Sequence, residues 1–163
     1  MFKTTLSLLA VFVLLLFFEN AQAQSSKRMT KKDTVKVNKY EAILSGKNVI
    51  PPVKTKATGK ATFMFSKTGK ILYYNLTVNN TNNVIMAHIH HAAPGKDGPI
   101  AVWLYKGKPK GMVNGILSKG KLTNKQVNLD SLRTWINDGD TYVLIHTKEY
   151  PNGEIRGTIK PVK

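Results

Sequence analysis

Short segments in which hydrophobic and polar residues alternate follow one another through most of the chain, and turn-forming residues separate them. In residues 61–65, Ala61, Phe63 and Phe65 alternate with Thr62 and Met64, which is the period of a half-buried β-strand. Leu72–Val78 repeats the pattern after a Lys-Thr-Gly-Lys turn. The same reading predicts strands over residues 40–44, 61–65, 72–78, 84–91, 100–105, 113–117, 141–147 and 154–160.

One segment has the period of a helix instead. Apolar residues fall at helical spacing at Leu129, Leu132, Trp135 and Ile136. Asn128 or Asp130 can cap this helix, and Gly139 can end it. Short strands at this spacing, with a single helical insertion, predict an all-β fold. Both an antiparallel sandwich and a barrel fit the strand pattern.

The first residues have the order of a secretory signal peptide. A lysine near the start precedes a 13-residue stretch, Leu6–Phe18, that is apolar except for one serine, and an Ala-Gln-Ala site ends at Ala23. A membrane-spanning helix would need about 20 apolar residues. We therefore expect residues 1–23 to be a cleaved signal peptide, no transmembrane span to remain afterwards, and the protein to be exported, either secreted or periplasmic.

Residues 24–39 carry six basic residues and one acid, so we expect a flexible basic arm. The whole chain has 25 Lys and Arg residues against nine Asp and Glu, for a formal net charge of +16. Binding of cell-surface polyanions is one interpretation, and simple solubility is another. The arm residues that would bind a polyanion are Lys27, Arg28, Lys31 and Lys32. Since lysine greatly outnumbers arginine, a dedicated nucleic-acid reader is disfavoured.

The candidate chemistry rests on histidine, because the chain contains no cysteine. His88 and His90 lie two apart in a predicted strand and therefore share a face. His146 lies in another predicted strand, and three converging imidazoles would suit copper or zinc. The alternative is that the histidines only hydrogen-bond loop carbonyls and anchor the Gly- and Pro-rich loop 92–99.

Glu154 and Arg156 form a second pair with the same spacing, on the strand after the Asn-Gly turn. They could orient a histidine or ligand, or they could form an ordinary cross-strand ion pair. We add His91 and Asp97 as further supporting candidates. The sequence has no G-x-S-x-G elbow, P-loop or G-x-G-x-x-G motif, and we therefore expect no enzymatic activity of those classes.

Several short motifs occur in a characteristic order over about residues 40–161. They are Leu44-Ser45-Gly46 with Pro51-Pro52-Val53, Ala57-Thr58-Gly59, Ala87-His88-Ile89-His90 with Gly95-Lys96-Asp97-Gly98-Pro99, and Tyr142–Thr147 through Pro151–Gly157. In these motifs the sequence resembles the CHRD domain family, named for the repeats of chordin and widespread in bacterial exported proteins. The resemblance implies one antiparallel, Greek-key-like β-sandwich over residues 40–163, and a non-enzymatic binding or structural module with an extracellular or cell-surface partner.

The His-x-His strand is also similar, more distantly, to the copper strand of copper–zinc superoxide dismutases. The bridging zinc site and the disulfide of those enzymes have no counterpart in this sequence. Three hypotheses therefore stand beside one another. They are a non-enzymatic CHRD-type module with structural histidines, a mononuclear copper or zinc protein with possible dismutase-like activity, and a lysine-rich binder of polyanions.

Overall fold

The computed structural model describes residues 39–162 of the chain. Within this range the backbone forms nine β-strands, one α-helix and a short 3-10 turn at Gly46–Asn48. The elements are β1 Lys39–Ser45, β2 Thr58–Phe65, β3 Leu72–Asn82, β4 Val84–His91, β5 Ile100–Lys106, β6 Met112–Leu122, α1 Leu129–Asp138, β7 Thr141–Thr147, β8 Ile155–Thr158 and β9 Lys160–Pro161. The predicted signal peptide and all but the last residue of the predicted arm lie outside the described residues.

The strands form one continuous sheet in which all paired neighbours are antiparallel. Its order is β5-β4-β7-β8-β1-β2-β3-β6, with β9 beside β1. The two ends of the sheet approach each other, because Ser118 on β6 and Tyr74 on β3 both donate hydrogen bonds to the Leu104 carbonyl on β5, at 2.8 and 3.0 Å. The predicted all-β class with one helical insertion is confirmed.

The inner face of this nearly closed sheet carries the main hydrophobic core. Alternate residues of each strand point inward, as the sequence pattern predicts, and Leu44, Leu76, Ile89 and Ile145 are fully buried. The helix α1 adds Leu132 and other apolar residues to the same core. A core of this size holds the fold together without disulfides, which a chain without cysteine cannot form.

The helix begins and ends where the sequence indicates. The Asn128 side chain accepts a hydrogen bond from the backbone N–H of Ser131, which identifies Asn128 rather than Asp130 as the N-cap. Gly139 follows the helix with a φ of 83°, in the left-handed region that glycine enters at low cost. Leu129, Leu132 and Ile136 are the buried positions of the apolar stripe.

The polar run Asn79–Asn83, which lies between the strands predicted over residues 72–78 and 84–91, is mostly strand. β3 continues to Asn82, and its last residues pair with Val113 and Met112 of β6 after an irregularity in the register. Asn80 has a φ of 52° at this irregularity, and Thr81 is fully buried. Pairing with a long partner strand therefore overrides the local turn preference of asparagine.

A second, smaller cluster of buried residues covers part of the outer face of the sheet. There Tyr142 and Leu144 of β7 pack against Val49, with Val53 and Ala92 at the margin. The loops that follow β1 and β4 supply these covering residues. All seven residues of β7 are consequently buried, the odd-numbered ones between Thr141 and Thr147 on one face and the even-numbered ones on the other.

No α-helix in residues 39–162 is long and apolar enough to cross a membrane.

Truncation of Leu132 tests the contribution of α1 to the core. Leu132→Ala removes a fully buried side chain, and we expect the free energy of unfolding to fall by about 2–5 kcal/mol. Urea denaturation measures this change. Thr134→Ala, an exposed position of the same helix, should change stability by less than about 0.5 kcal/mol, and equal effects of the two substitutions would contradict this packing.

Candidate metal centre

Three histidines meet on the covered part of the outer face. His88 and His90 come from β4 and His146 comes from β7, the strand that pairs with β4. Both strands turn their apolar neighbours, such as Ile89 and Ile145, into the main core. The strict alternation of a strand thus sends the three imidazoles to the opposite side.

The three side chains are buried and close together. Their exposed fractions are 1% for His88, 8% for His90 and 7% for His146. One ring nitrogen from each residue lies within 4.8 Å of the other two. A tetrahedral ion bound at 2.0–2.1 Å would bring such nitrogens to about 3.4 Å from one another.

Backbone carbonyls hold two of the rings by Nδ1. His90 Nδ1 lies 2.9 Å from the Gly98 carbonyl, and His146 Nδ1 lies 2.9 Å from the Pro151 carbonyl. A carbonyl can only accept, so each Nδ1 carries the proton and donates. Each Nε2 is then an unprotonated lone-pair donor.

Four buried ring nitrogens have no hydrogen-bond partner among the described residues. They are Nε2 of His90, Nε2 of His146 and both nitrogens of His88. Buried polar atoms in folded proteins nearly always have a partner, and an orphaned one carries a desolvation cost. A group of such atoms converging on one point is the arrangement expected of a site that takes a ligand.

Burial keeps the imidazoles neutral. Desolvation, with smaller contributions from the neighbouring His146 and His90, lowers the pKa of His88 to about 4. Desolvation also lowers the pKa of His146 and of His90, although the carbonyl bonds act in the opposite direction. Neutral imidazole is the form that binds a metal ion, so the cluster needs to release few protons to do so.

A stack of three side chains supports His90. The ring of Tyr142 lies parallel to the ring of His90, with centroids 4.9 Å apart. The guanidinium of Arg156, on β8, lies 3.5 Å from the centre of the Tyr142 ring. Arg156 also donates to Asp97 at 2.6 Å and to the Lys96 carbonyl at 2.5 Å. Asp97 and Lys96 belong to the loop that presents the Gly98 carbonyl. The stack therefore supports the His90 ring at one face through Tyr142 and at Nδ1 through this loop.

The other sequence candidates lie elsewhere. Glu154 is buried and accepts a hydrogen bond from Thr55 at 2.6 Å, which connects it to the covering loop rather than to a histidine. His91 stacks on Trp135 of α1, with ring centroids 4.0 Å apart, on the side of β4 away from the cluster. The arm residues Lys27, Arg28, Lys31 and Lys32 lie outside the described residues, and polyanion binding by the arm stays a prediction.

Two neighbours of the cluster, Tyr142 and Trp103, are not among the site residues predicted from the sequence. Tyr142 lies four residues before His146 on the same strand, so period-two alternation alone places it on the histidine face. Trp103 stands opposite His88 across β4 and β5, and its ring is 4.1 Å from the His88 ring. Two register shifts between these strands decide that partnership, and the sequence carries no readable signal for them.

Comparison with known proteins identifies one family. The CHRD domain matches residues 40–159, which is most of the chain. A search of curated proteins finds no significant match.

The buried histidines predict an acid-sensitive fold. Unfolded His88 titrates near pH 6.5, whereas the folded residue does so near pH 4, so the unfolded chain binds more protons between these values. The metal-free protein should therefore lose stability as the pH falls from 6.5 to 4, on the order of 3 kcal/mol from His88 alone. Urea midpoints measured across this range report the loss.

His88→Gln cannot titrate and should flatten that part of the profile, with only His90 and His146 left to contribute. His91→Gln is the control, since His91 lies outside the cluster. A profile that stays equally steep in His88→Gln would refute the assignment.

Proposed function

The chain belongs to the CHRD domain family, and we propose that this domain is an exported, non-enzymatic binding module that holds one copper or zinc ion on His88, His90 and His146. The proposal rests on the closeness of one ring nitrogen from each of three buried histidines, together with the four buried ring nitrogens of these residues that have no hydrogen-bond partner among the described residues. Family membership supports a module that acts by binding. The signal-peptide pattern of residues 1–23 supports export.

A purely structural role accounts for only part of this arrangement. Hydrogen bonds to the Gly98 and Pro151 carbonyls use one nitrogen each of His90 and His146. The His88 side chain makes no hydrogen bond among the described residues, although it is the most deeply buried of the three. An apolar side chain of similar size would avoid the cost of burying these unused polar atoms. An ion that binds the unused nitrogens gives them a function.

The carbonyl bonds themselves match a pattern common at metal centres. Metal-binding histidines usually donate their second ring N–H to a carbonyl or carboxylate, which fixes the tautomer and the ring orientation. Gly98 and Pro151 supply this support from two different loops. Three neutral imidazoles are typical ligands of zinc and of copper. When bound, the ion would supply a positive centre that joins β4 to β7, and it would also stabilise the folded state.

Metal titration tests the proposal directly. The purified protein should bind one Cu(II) or Zn(II) ion with a Kd below about 1 μM, and His90→Ala and His146→Ala should each abolish stoichiometric binding, because too few ligands remain. Calorimetry and elemental analysis after dialysis measure both properties.

His91→Ala is the matched control, since it removes the neighbouring imidazole without touching the cluster. It should keep the full stoichiometry. If the wild-type protein binds neither metal, or if His91→Ala loses binding as the others do, the three-histidine site is wrong.

We propose further that Asp97 and Arg156 are positioning residues for His90. Asp97 accepts from Arg156, and Arg156 stacks on the Tyr142 ring that covers His90. The side chain of Asp97 is 58% exposed, so its loss should not unfold the core. Glu154 acts one step further away, by holding Thr55 of the covering loop.

Asp97→Asn should weaken metal binding by about 10–100-fold, the usual effect of losing an outer partner of a ligand. The stoichiometry should remain one ion per chain, since all three histidines are retained. Glu41→Gln breaks an exposed ion pair with Lys60 on a distant strand and should leave the affinity unchanged. Competition with a chromogenic chelator measures the three affinities. Equal affinities for Asp97→Asn and the wild type would show that the stack has no positioning role.

A further inference from the structure

Met86 borders the histidine cluster on the same face of the sheet. In β4 the side chains alternate, so Met86, His88 and His90 lie on one side of the strand. Across the β4–β7 ladder, Met86 stands opposite His146. Residues directly opposite each other in antiparallel strands share a face, with Cβ atoms about 4.5–5.5 Å apart. Met86 is thus the neighbour of His88 along the strand and of His146 across it.

The chemistry of this side chain suits a particular ion. Met86 is half-buried, and a long unbranched side chain with three rotatable bonds can turn its sulfur toward the cluster. A thioether is a soft, uncharged ligand that favours Cu(I). Zinc in proteins is bound by imidazole, thiolate or carboxylate instead. The set His88, His90, His146 and Met86 would therefore discriminate between the two metals.

The charges around the cluster also favour an ion of low charge. Among the described residues, the cluster itself contains no carboxylate. Asp97 is paired with Arg156, whose guanidinium lies over the Tyr142 ring that stacks on His90. The cost of burying an ion rises steeply with its charge, and uncharged ligands do not neutralise it. A monovalent ion is therefore easier to hold here than a divalent one.

We infer that Met86 is a fourth ligand of this centre and that it makes the site selective for Cu(I). This inference rests on the proposed metal site and specifies which ion that site prefers. In the bound state three imidazole nitrogens and one thioether sulfur surround the ion. Binding involves no electron transfer, because the copper is already in its reduced form.

The test compares Met86→Leu with Met64→Leu under anaerobic conditions. Leucine conserves volume at a methionine position, so both variants should fold, and thermal unfolding of the metal-free proteins checks this. Met64 is 45% exposed on β2, on another part of the sheet, and is the matched control. Cu(I) affinity is measured by competition with bicinchoninate and Zn(II) affinity by competition with a chromogenic zinc chelator.

Met86→Leu should weaken Cu(I) binding at least tenfold, the lower end of the ~10–100-fold cost of losing even an outer partner of a ligand, and should leave Zn(II) binding within about threefold. Met64→Leu should change neither affinity. X-ray absorption of the Cu(I)-loaded proteins should show a copper–sulfur distance in the wild type and in Met64→Leu, and none in Met86→Leu.

The other outcomes separate the two proposals. If Met86→Leu binds Cu(I) as the wild type does, or weakens Cu(I) and Zn(II) equally, Met86 is not a ligand, although the three-histidine site stands. If the wild type binds neither ion, the metal site itself is wrong and this inference is wrong with it.

Discussion

The burial of β7 on both faces is the constraint on which the rest of the structure depends. Most strands of this sheet pack one face on the core and leave the other to solvent, but β7 is covered on both sides. Its inner face anchors the main core, and its outer face needs the loops after β1 and β4 as a cover. The loop after β4 brings the Gly98 carbonyl to His90, and its Asp97 pairs with Arg156. The candidate site therefore lies where the outer face of β7 is covered by a second layer of residues.

Local pattern is enough to predict much of this fold. The limits of β4 and β7 and the N-cap and end of α1 follow from period-two and period-3.6 spacing. The pattern does not predict the secondary structure of a segment when its pairing with a strand distant in the sequence decides that structure. Asn79–Asn82 has turn chemistry, but it continues as strand because β6 offers a partner of matching length.

In the candidate site too, local spacing predicts some features, and the pairing of distant strands decides the others. That His88 and His90 share a face follows from their spacing, and two strands with histidines suggested that His146 could join them. The nearness of His146 depends on which strands become neighbours, and only the assembled sheet shows that β4 and β7 do. His91 illustrates the limit, because its position one residue further along the strand sends its ring to α1 instead. Composition could not predict the stack of Arg156 on Tyr142, which three strands and a loop build together.

His90 and His146 donate hydrogen bonds to the Gly98 and Pro151 carbonyls, and these bonds also determine at which stage of folding the site can form. His146 lies 56 residues after His90 in the chain, and the orientation of both rings depends on loops that take shape only with the finished sheet. An unfolded chain has no such pocket, so at the proposed metal site the ion would be captured after folding. A protein that crosses a membrane unfolded would then acquire its ion on the far side. The metal supply of that compartment, rather than that of the cytoplasm where the chain is made, would determine its occupancy.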